Sequence, residues 1–189
     1  MNAAQSICIF LVCILFVACV NEPKEVEETT EAELKEQLIK ENKLFVEKEN
    51  DRINSYIARH KYSMKETGTG LRYQIVEEAK GEKAKADDKV QIAFTSRIVD
   101  GEILVGEQNA DTISVLIGKT EIPSGVNEAV QLLSEGEKGK FILPTHLAYG
   151  LTGDNDKVPP NAALIYNIHL LKIDRTTDKQ NEKRNEQGN

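Results

Sequence analysis

Hydrophobic and polar residues alternate along several short segments of this chain, and the alternation predicts β-strands. Positions 163–173 place an apolar or aromatic residue at every second position from 164 to 170, which is typical of a strand with one buried face. Shorter alternating segments run over 71–75, 90–98 and 113–117, and a further strand is predicted over 138–144, which is apolar in its centre and ends at a proline. Asp100 and Gly101 follow the second of these segments and predict a tight hairpin turn.

A long segment carries helical spacing instead. Glu31–Arg59 contains neither glycine nor proline, and Thr30 with Glu33 forms a capping box in front of it. One interpretation is that its stripe of apolar side chains packs on its own globular domain or stays largely solvated. The other is that the stripe mediates self-association or contact with another envelope protein. No heptad is sustained along the stripe, which favours the first interpretation. The stripe consists of Leu34, Leu38, Phe45, Ile53, Tyr56 and Ile57.

A second, shorter helix is predicted from Ser124, whose hydroxyl can cap it, to about Leu133. Strands followed by a helix and further strands, joined mostly by short turns, are typical of an α+β fold rather than a parallel sheet. The final residues lack apolar side chains and are predicted to be disordered. The predicted organisation is therefore a helical spacer over 31–66, a globular domain over 67–174 and a disordered tail over 175–189.

The first twenty residues differ from the rest. Positions 7–20 are almost wholly apolar and contain all three cysteines, and the run is shorter than the ~20 apolar residues of a transmembrane helix. The sequence LFVAC at 15–19, followed by polar residues, resembles a bacterial lipobox. The resemblance implies a signal peptide over 1–18, acylation of Cys19 and an acidic tether over 19–30. The alternative is a buried or membrane-inserted apolar N-terminus.

The lipobox resemblance also implies a location. An acylated Cys19 would insert into the lipid bilayer and hold the protein in the cell envelope. Asn21 is not the aspartate that commonly retains lipoproteins at the inner membrane, so we expect the outer membrane, with the protein facing the periplasm. With Cys8 and Cys13 removed, no thiol would remain for a disulfide, a metal site or a nucleophile.

Composition and charge narrow the possible chemistry. The chain has 189 residues, 40% hydrophobic and 29% charged, as expected of a globular domain with extensions. A net charge of −7 argues against nucleic acid as a partner, because no basic stripe is available for phosphates. Three histidines far apart in sequence do not predict a metal site, and none is evidently paired with Ser124 as a nucleophile. No cofactor is predicted.

Positions 136–173 read GEKGKFILPTHLAYGLTGDNDKVPPNAALIYNIHLLKI. The order and spacing of GEK, ILP, AYG, VPPNA and LIY with LLKI resemble the C-terminal half of FKBP-type peptidyl-prolyl cis-trans isomerases. The resemblance extends over about 90–173, and more loosely from 67. It implies a twisted antiparallel sheet wrapped around one short helix, with the ligand pocket between them. The lipobox and the charged helical spacer are also similar to the gliding-motility-associated branch of that family.

The resemblance implies a set of site residues. Tyr149 matches the loop tyrosine whose hydroxyl bonds to the ligand, and Phe94 and Tyr166 match aromatic walls, so these three are the implied catalytic residues. Prolyl isomerisation needs no nucleophile or metal, because its barrier comes from the amide resonance that is lost when the bond twists. For each wall residue, plain core packing is the alternative role. The implied substrate-binding residues are Leu104, Ile113, Ile122, Val126 and Val158.

The sequence departs from the family pattern at three pocket positions. Val105 replaces a customary aspartate, and Val126 stands where a tryptophan often forms the floor. Pro123 occupies a position whose backbone N–H commonly bonds the ligand carbonyl, and proline has no N–H. The expected function is isomerisation of X–Pro bonds in proline-containing segments of envelope proteins. The alternative is a non-catalytic FKBP-like chaperone or an assembly factor of an envelope complex, for example one for motility or secretion.

Overall fold

The computed structural model describes residues 30–99, 101–106 and 111–175. The predicted signal peptide, Cys19, the tether up to residue 29, Asp100 of the predicted hairpin and the tail from residue 176 lie outside the described residues. In chain order the elements are helix α1 (Glu31–Arg59), strands β1 (Lys65–Glu66), β2 (Arg72–Glu77), β3 (Lys89–Ile98), β4 (Ile103–Val105) and β5 (Asp111–Leu116), helix α2 (Ser124–Gln131), strand β6 (Lys138–Leu143), a 3-10 helix (Thr145–Leu147) and strand β7 (Leu164–Asp174).

All strand pairs in the described sheet are antiparallel. The strands lie in the order β1-β2-β6-β7-β3-β4, and β5 pairs with β3 outside this path. The predicted α+β class, with a long helix before an antiparallel sheet and one short helix, is confirmed. β1 and β4 were not predicted, because two or three residues are too few to show an alternation. Within the described part of the chain, no helix combines the length and the apolar composition that crossing a membrane requires.

Strand β7 contributes side chains to two apolar clusters, one on each face of the sheet. Tyr166 and Ile168 point to the inner face of the sheet, where α2 contributes Val126 and Val130 to the main core. Ile165 points to the outer face and packs in a smaller cluster. Since successive side chains of a strand point to opposite faces, one strand serves both clusters.

The smaller cluster is formed with the C-terminal half of α1. Ile53 is fully buried and Tyr56 is 4% exposed, and they pack against Ile142 and Ile165 of the sheet's outer face. The described residues fall into two compact units, 30–41 and 42–175, and this half of the helix belongs to the second.

The unit at 30–41 contains the predicted capping box. Thr30 N–H donates to Glu33 Oε2 at 2.9 Å, and Glu33 N–H donates to Thr30 Oγ1 at 3.4 Å. Leu34 and Leu38 of the predicted stripe are exposed.

The start of α2 corrects one prediction. Ser124 is not the N-cap: Pro123 occupies that position with φ −50° and ψ 137°, and no side chain caps the helix. The Pro123 carbonyl accepts a hydrogen bond from Val126 N–H at 2.9 Å, as the carbonyl of an N-cap residue does. Gly125 allows α2 to lie close to the sheet, because an added Cβ would be 2.7 Å from Leu143 Cγ.

Candidate functional site

Tyr149 lies on the loop between the 3-10 helix and β7, and its backbone is held on both sides. The carbonyl of Thr145 accepts a hydrogen bond from Ala148 N–H at 3.1 Å and another from Gly150 N–H at 3.0 Å. The Gly150 carbonyl in turn accepts from Asn161 N–H at 3.1 Å. The loop that carries Tyr149 is therefore closed by main-chain bonds, although it contains no strand or long helix.

The next part of the loop is organised by Asp154. Its Oδ1 accepts hydrogen bonds from Asp156 N–H at 2.9 Å and Val158 N–H at 2.7 Å. Burial alone would raise the pKa of Asp154, but the backbone hydrogen bonds from Asp156, Val158 and Lys157 outweigh it and bring the pKa below its ordinary value. Gly153 has φ +74°, and a Cβ there would collide with the Val158 carbonyl oxygen. This turn places the Val158 side chain, 6% exposed, against the main core.

Tyr166 is the buried aromatic residue of the site. It is 6% exposed, and its ring lies 5.6 Å from that of Phe94, centroid to centroid, with a 36° tilt. Burial raises the pKa of the Tyr166 hydroxyl, and the charge and hydrogen bonding of the Tyr149 hydroxyl and the charge of Asp154 raise it further. Tyr166, Tyr149 and Asp154 are thus electrostatic neighbours, and the Tyr166 hydroxyl stays protonated.

All eight of the predicted catalytic and substrate-binding residues belong to the inner core cluster or pack against it. The structure therefore brings them to one side of the sheet. Three are buried: Val126, Val158 and Tyr166. Five are half-buried and keep part of their apolar surface in solvent, as the walls of a ligand site require: Phe94, Leu104, Ile113, Ile122 and Tyr149. We call these eight residues the Tyr149 patch. The predicted lipidation site, Cys19, lies outside the described residues.

The backbone beside α2 is a poor source of hydrogen-bond donors for this patch. Pro123 has no N–H, and the N–H of Ile122 already donates to the Thr120 carbonyl at 2.9 Å. Val105, the third departure from the family pattern, pairs with Ser96 across β3 and β4. A polar contact to a ligand would therefore depend on the Tyr149 hydroxyl more than on these main-chain groups.

Two cavities border the outer face of the sheet and were not predicted. One has a volume of about 390 Å³ and is lined by Ala93, Lys138 and His169 among others. The other has a volume of about 560 Å³ and lies where the end of α1 approaches β3 and β4, beside Tyr62 and Val105. Phe94 borders the first cavity, but Tyr149, Val158 and Tyr166 border neither. We place the candidate site at the Tyr149 patch nonetheless, because the aromatic residues and the ordered loop converge there.

Metal chemistry finds no support in the described residues. Within 30–99, 101–106 and 111–175, no three histidine, cysteine, aspartate or glutamate side chains lie close enough together to hold a metal ion. What the described site offers is partly exposed apolar surface together with the half-buried phenol of Tyr149. Such a surface can hold a prolyl ring and donate a hydrogen bond.

Comparisons with known proteins identify relatives of this chain. Residues 80–171 match the model of the family described as FKBP-type peptidyl-prolyl cis-trans isomerase. The probable isomerase FkpA of Neisseria meningitidis serogroup B is 34% identical over 113 residues, which cover 60% of this chain and 41% of that protein. Outer membrane protein MIP of Legionella longbeachae is 30% identical over 105 residues, covering 56% of this chain and 45% of that protein.

The fold itself matches solved structures. The crystal structure of FkpA from Escherichia coli superimposes with a TM-score of 0.58 at 24% sequence identity, covering 92% of this chain and 82% of that chain. The chain spans less than half the length of the two curated relatives that it matches.

Proposed function

We propose that the protein isomerises X–Pro bonds of polypeptides in the cell envelope, because residues 80–171 match the model of the FKBP-type peptidyl-prolyl cis-trans isomerase family. The observation that carries the proposal is that Tyr149, on a loop held by main-chain hydrogen bonds, packs against the apolar cluster that contains buried Tyr166 and Val158. These residues supply what the reaction needs, which is an apolar surface for the ring and a donor for a carbonyl.

The mechanism follows from the origin of the barrier. Amide resonance keeps an X–Pro bond planar in its ground state. Twisting the bond removes this resonance, and that loss is the barrier to isomerisation. An apolar site that fits the twisted peptide better than the planar one lowers the barrier, and each ~1.4 kcal/mol of this preference gives about tenfold in rate. We assign the donor role to Tyr149, whose hydroxyl oxygen can accept a hydrogen bond from protonated Tyr166 while its own hydrogen turns to the substrate carbonyl.

A protease-coupled assay on a short X–Pro peptide tests this function. We expect the full chain to accelerate isomerisation and Tyr149→Phe to lower kcat/KM roughly tenfold, since one donor to the transition state is lost. Tyr62→Phe is the matched control, because Tyr62 packs with the separate outer-face cluster. An unchanged kcat/KM in Tyr149→Phe would show that the site lies elsewhere.

The cellular setting is part of the same proposal. The lipobox-like LFVAC at 15–19 supports acylation of Cys19, and a relative at 30% identity is named an outer membrane protein. We place the protein on the periplasmic side of the outer membrane, with proline-containing envelope proteins as its clients. Metabolic labelling with a clickable fatty acid tests the anchor: label should enter the wild-type chain and not Cys19→Ala. Equal labelling of both would contradict the anchor.

One observation favours a second function, a non-catalytic chaperone or assembly factor of an envelope complex. Pro123 lacks the N–H that the family pattern supplies, and the N–H of Ile122 is already bonded to Thr120. The two functions separate in paired assays of the wild-type chain. Suppression of client aggregation without acceleration of the peptide reaction would favour the chaperone.

A further inference from the structure

A buried carboxylate connects α1 to the 3-10 helix that precedes Tyr149. Glu49 is 4% exposed, and its Oε1 accepts a hydrogen bond from Thr145 N–H at 2.8 Å and another from the Thr145 hydroxyl. The guanidinium of Arg52 lies 4.0 Å from the same oxygen. Glutamate is rarely buried unless its oxygens are bonded, because burying an unpaired charge is costly. The contact joins residues 96 positions apart.

Thr145 links Glu49 to the loop that carries Tyr149 through hydrogen bonds on both sides. The residue is 3% exposed, and its N–H and hydroxyl are both engaged by Glu49. Its carbonyl accepts from Ala148 N–H and Gly150 N–H, the two residues that flank Tyr149. The position of Thr145 therefore sets the position of the backbone on both sides of Tyr149.

The segment of α1 that carries Glu49 is itself fixed to the sheet. Asn50 Oδ1 accepts a hydrogen bond from Arg72 Nη2 at 3.0 Å, and Arg72 Nη1 donates to the Gly70 carbonyl at 2.6 Å. One turn further on, Ile53 is fully buried in the outer-face cluster. Glu49 thus projects from a well-anchored point, and a bond to it can restrain what it touches.

We propose that Glu49 is a positioning residue for the isomerase reaction, acting through Thr145 to hold the Tyr149 hydroxyl in one place. The inference rests on the proposed function. Catalysis by an apolar site with one side-chain donor depends on the placement of that donor, and a displacement of about 1 Å can cost up to ~100-fold in rate. The C-terminal half of α1 is then part of the catalytic unit and not only a spacer.

The first test compares two glutamates of α1 in the full chain. Glu49→Gln keeps the shape of the side chain and changes its hydrogen bonding to Thr145. Glu47→Gln is the same substitution at an exposed position of the same helix. We expect Glu49→Gln to lower kcat/KM roughly tenfold, mainly through kcat and with KM within about twofold, because the donor acts in the transition state. Glu47→Gln should match the wild type. Equal activities of all three proteins would overturn the proposal.

A double-mutant cycle separates positioning from a general structural effect. If Glu49 acts through the Tyr149 hydroxyl, Glu49→Gln should lower kcat/KM little further in a Tyr149→Phe background. Fully additive losses would contradict the proposal. Thr145→Val provides a second route should Glu49→Gln fold poorly, since it removes only the hydroxyl that bonds to Glu49, and it should lower kcat in the same direction by a smaller factor.

Amide hydrogen exchange gives a readout that does not depend on activity. Glu49→Gln should speed exchange at Ala148 and Gly150, and Glu47→Gln should not. If the wild-type chain proves inactive, the proposed function fails, while this exchange measurement still decides whether Glu49 holds the loop. Unchanged exchange in an active protein would overturn the positioning role alone.

Discussion

Replacing Ile53 by alanine should destabilise the whole domain, because this residue joins α1 to the sheet. Ile53 is fully buried in a cluster with Tyr56, Ile142 and Ile165. Truncating a buried isoleucine to alanine typically costs about 2–5 kcal/mol, from lost transfer free energy and from the cavity left behind. We take ~3 kcal/mol as the expected loss here, since the cluster is small and one of its sides is a helix that can shift inward.

Ile39→Ala is the matched control for that variant. Ile39 lies on the same helix but is 60% exposed, so its truncation should change stability by at most about 0.5 kcal/mol. The measurement is equilibrium unfolding in urea, followed by far-ultraviolet circular dichroism. With an m value of roughly 1–3 kcal/mol/M, a loss of ~3 kcal/mol lowers the midpoint by roughly 1–3 M. Equal midpoints for the two variants would refute the conclusion that this half of α1 is integral to the domain.

Three further predictions concern the core and the loop. Gly125→Ala should lower the free energy of unfolding, measured in urea, by about 1–3 kcal/mol, because its Cβ would lie within 2.8 Å of a leucine side chain and a carbonyl oxygen. At the control position Gly68, an added Cβ meets nothing within 4 Å, so Gly68→Ala should be nearly neutral. Because the pKa of Asp154 is lowered in the folded protein, its ionised carboxylate stabilises the loop at pH values above the ordinary pKa of 3.8. This stabilisation is lost as the pH falls through the pKa of the folded protein. The Val158 amide resonance should therefore shift only below about pH 4. Since the pKa of Tyr166 is raised above 10.0, Tyr166→Phe should leave the absorbance change of a tyrosine titration between about pH 9 and 11 unaltered.

The fold was predictable where side-chain periodicity was strong. The alternation from 164 to 170 identified β7 and the face that it buries, and the buried pair Ile53 and Tyr56 belonged to the predicted stripe of α1. The prediction that Ser124 caps α2 was wrong. A hydroxyl at a helix start is a common cap, but Pro123, the residue before it, occupies the N-cap position.

The tertiary polar contacts could not be predicted. Glu49 lies in a helix rich in glutamate and lysine, where an acidic residue normally faces solvent, and its partner Thr145 is far away in sequence. Its burial follows from the docking of α1 on the outer face, which no local pattern records. The same holds for the two outer-face cavities, which arise from strands and a helix distant in sequence. The residues of the Tyr149 patch were implied by the resemblance to a known family, and composition alone would not have located them.

We propose that a prolyl peptide binds at the Tyr149 patch. The most direct measurement is a titration of the isotopically labelled full chain with a short X–Pro peptide, followed by amide chemical shifts. We expect the largest shifts at Tyr149, Val158 and Tyr166, with little change at Tyr62 beside the larger of the two outer-face cavities. Shifts centred on Tyr62 and the outer face, or none at all at saturating peptide, would contradict it.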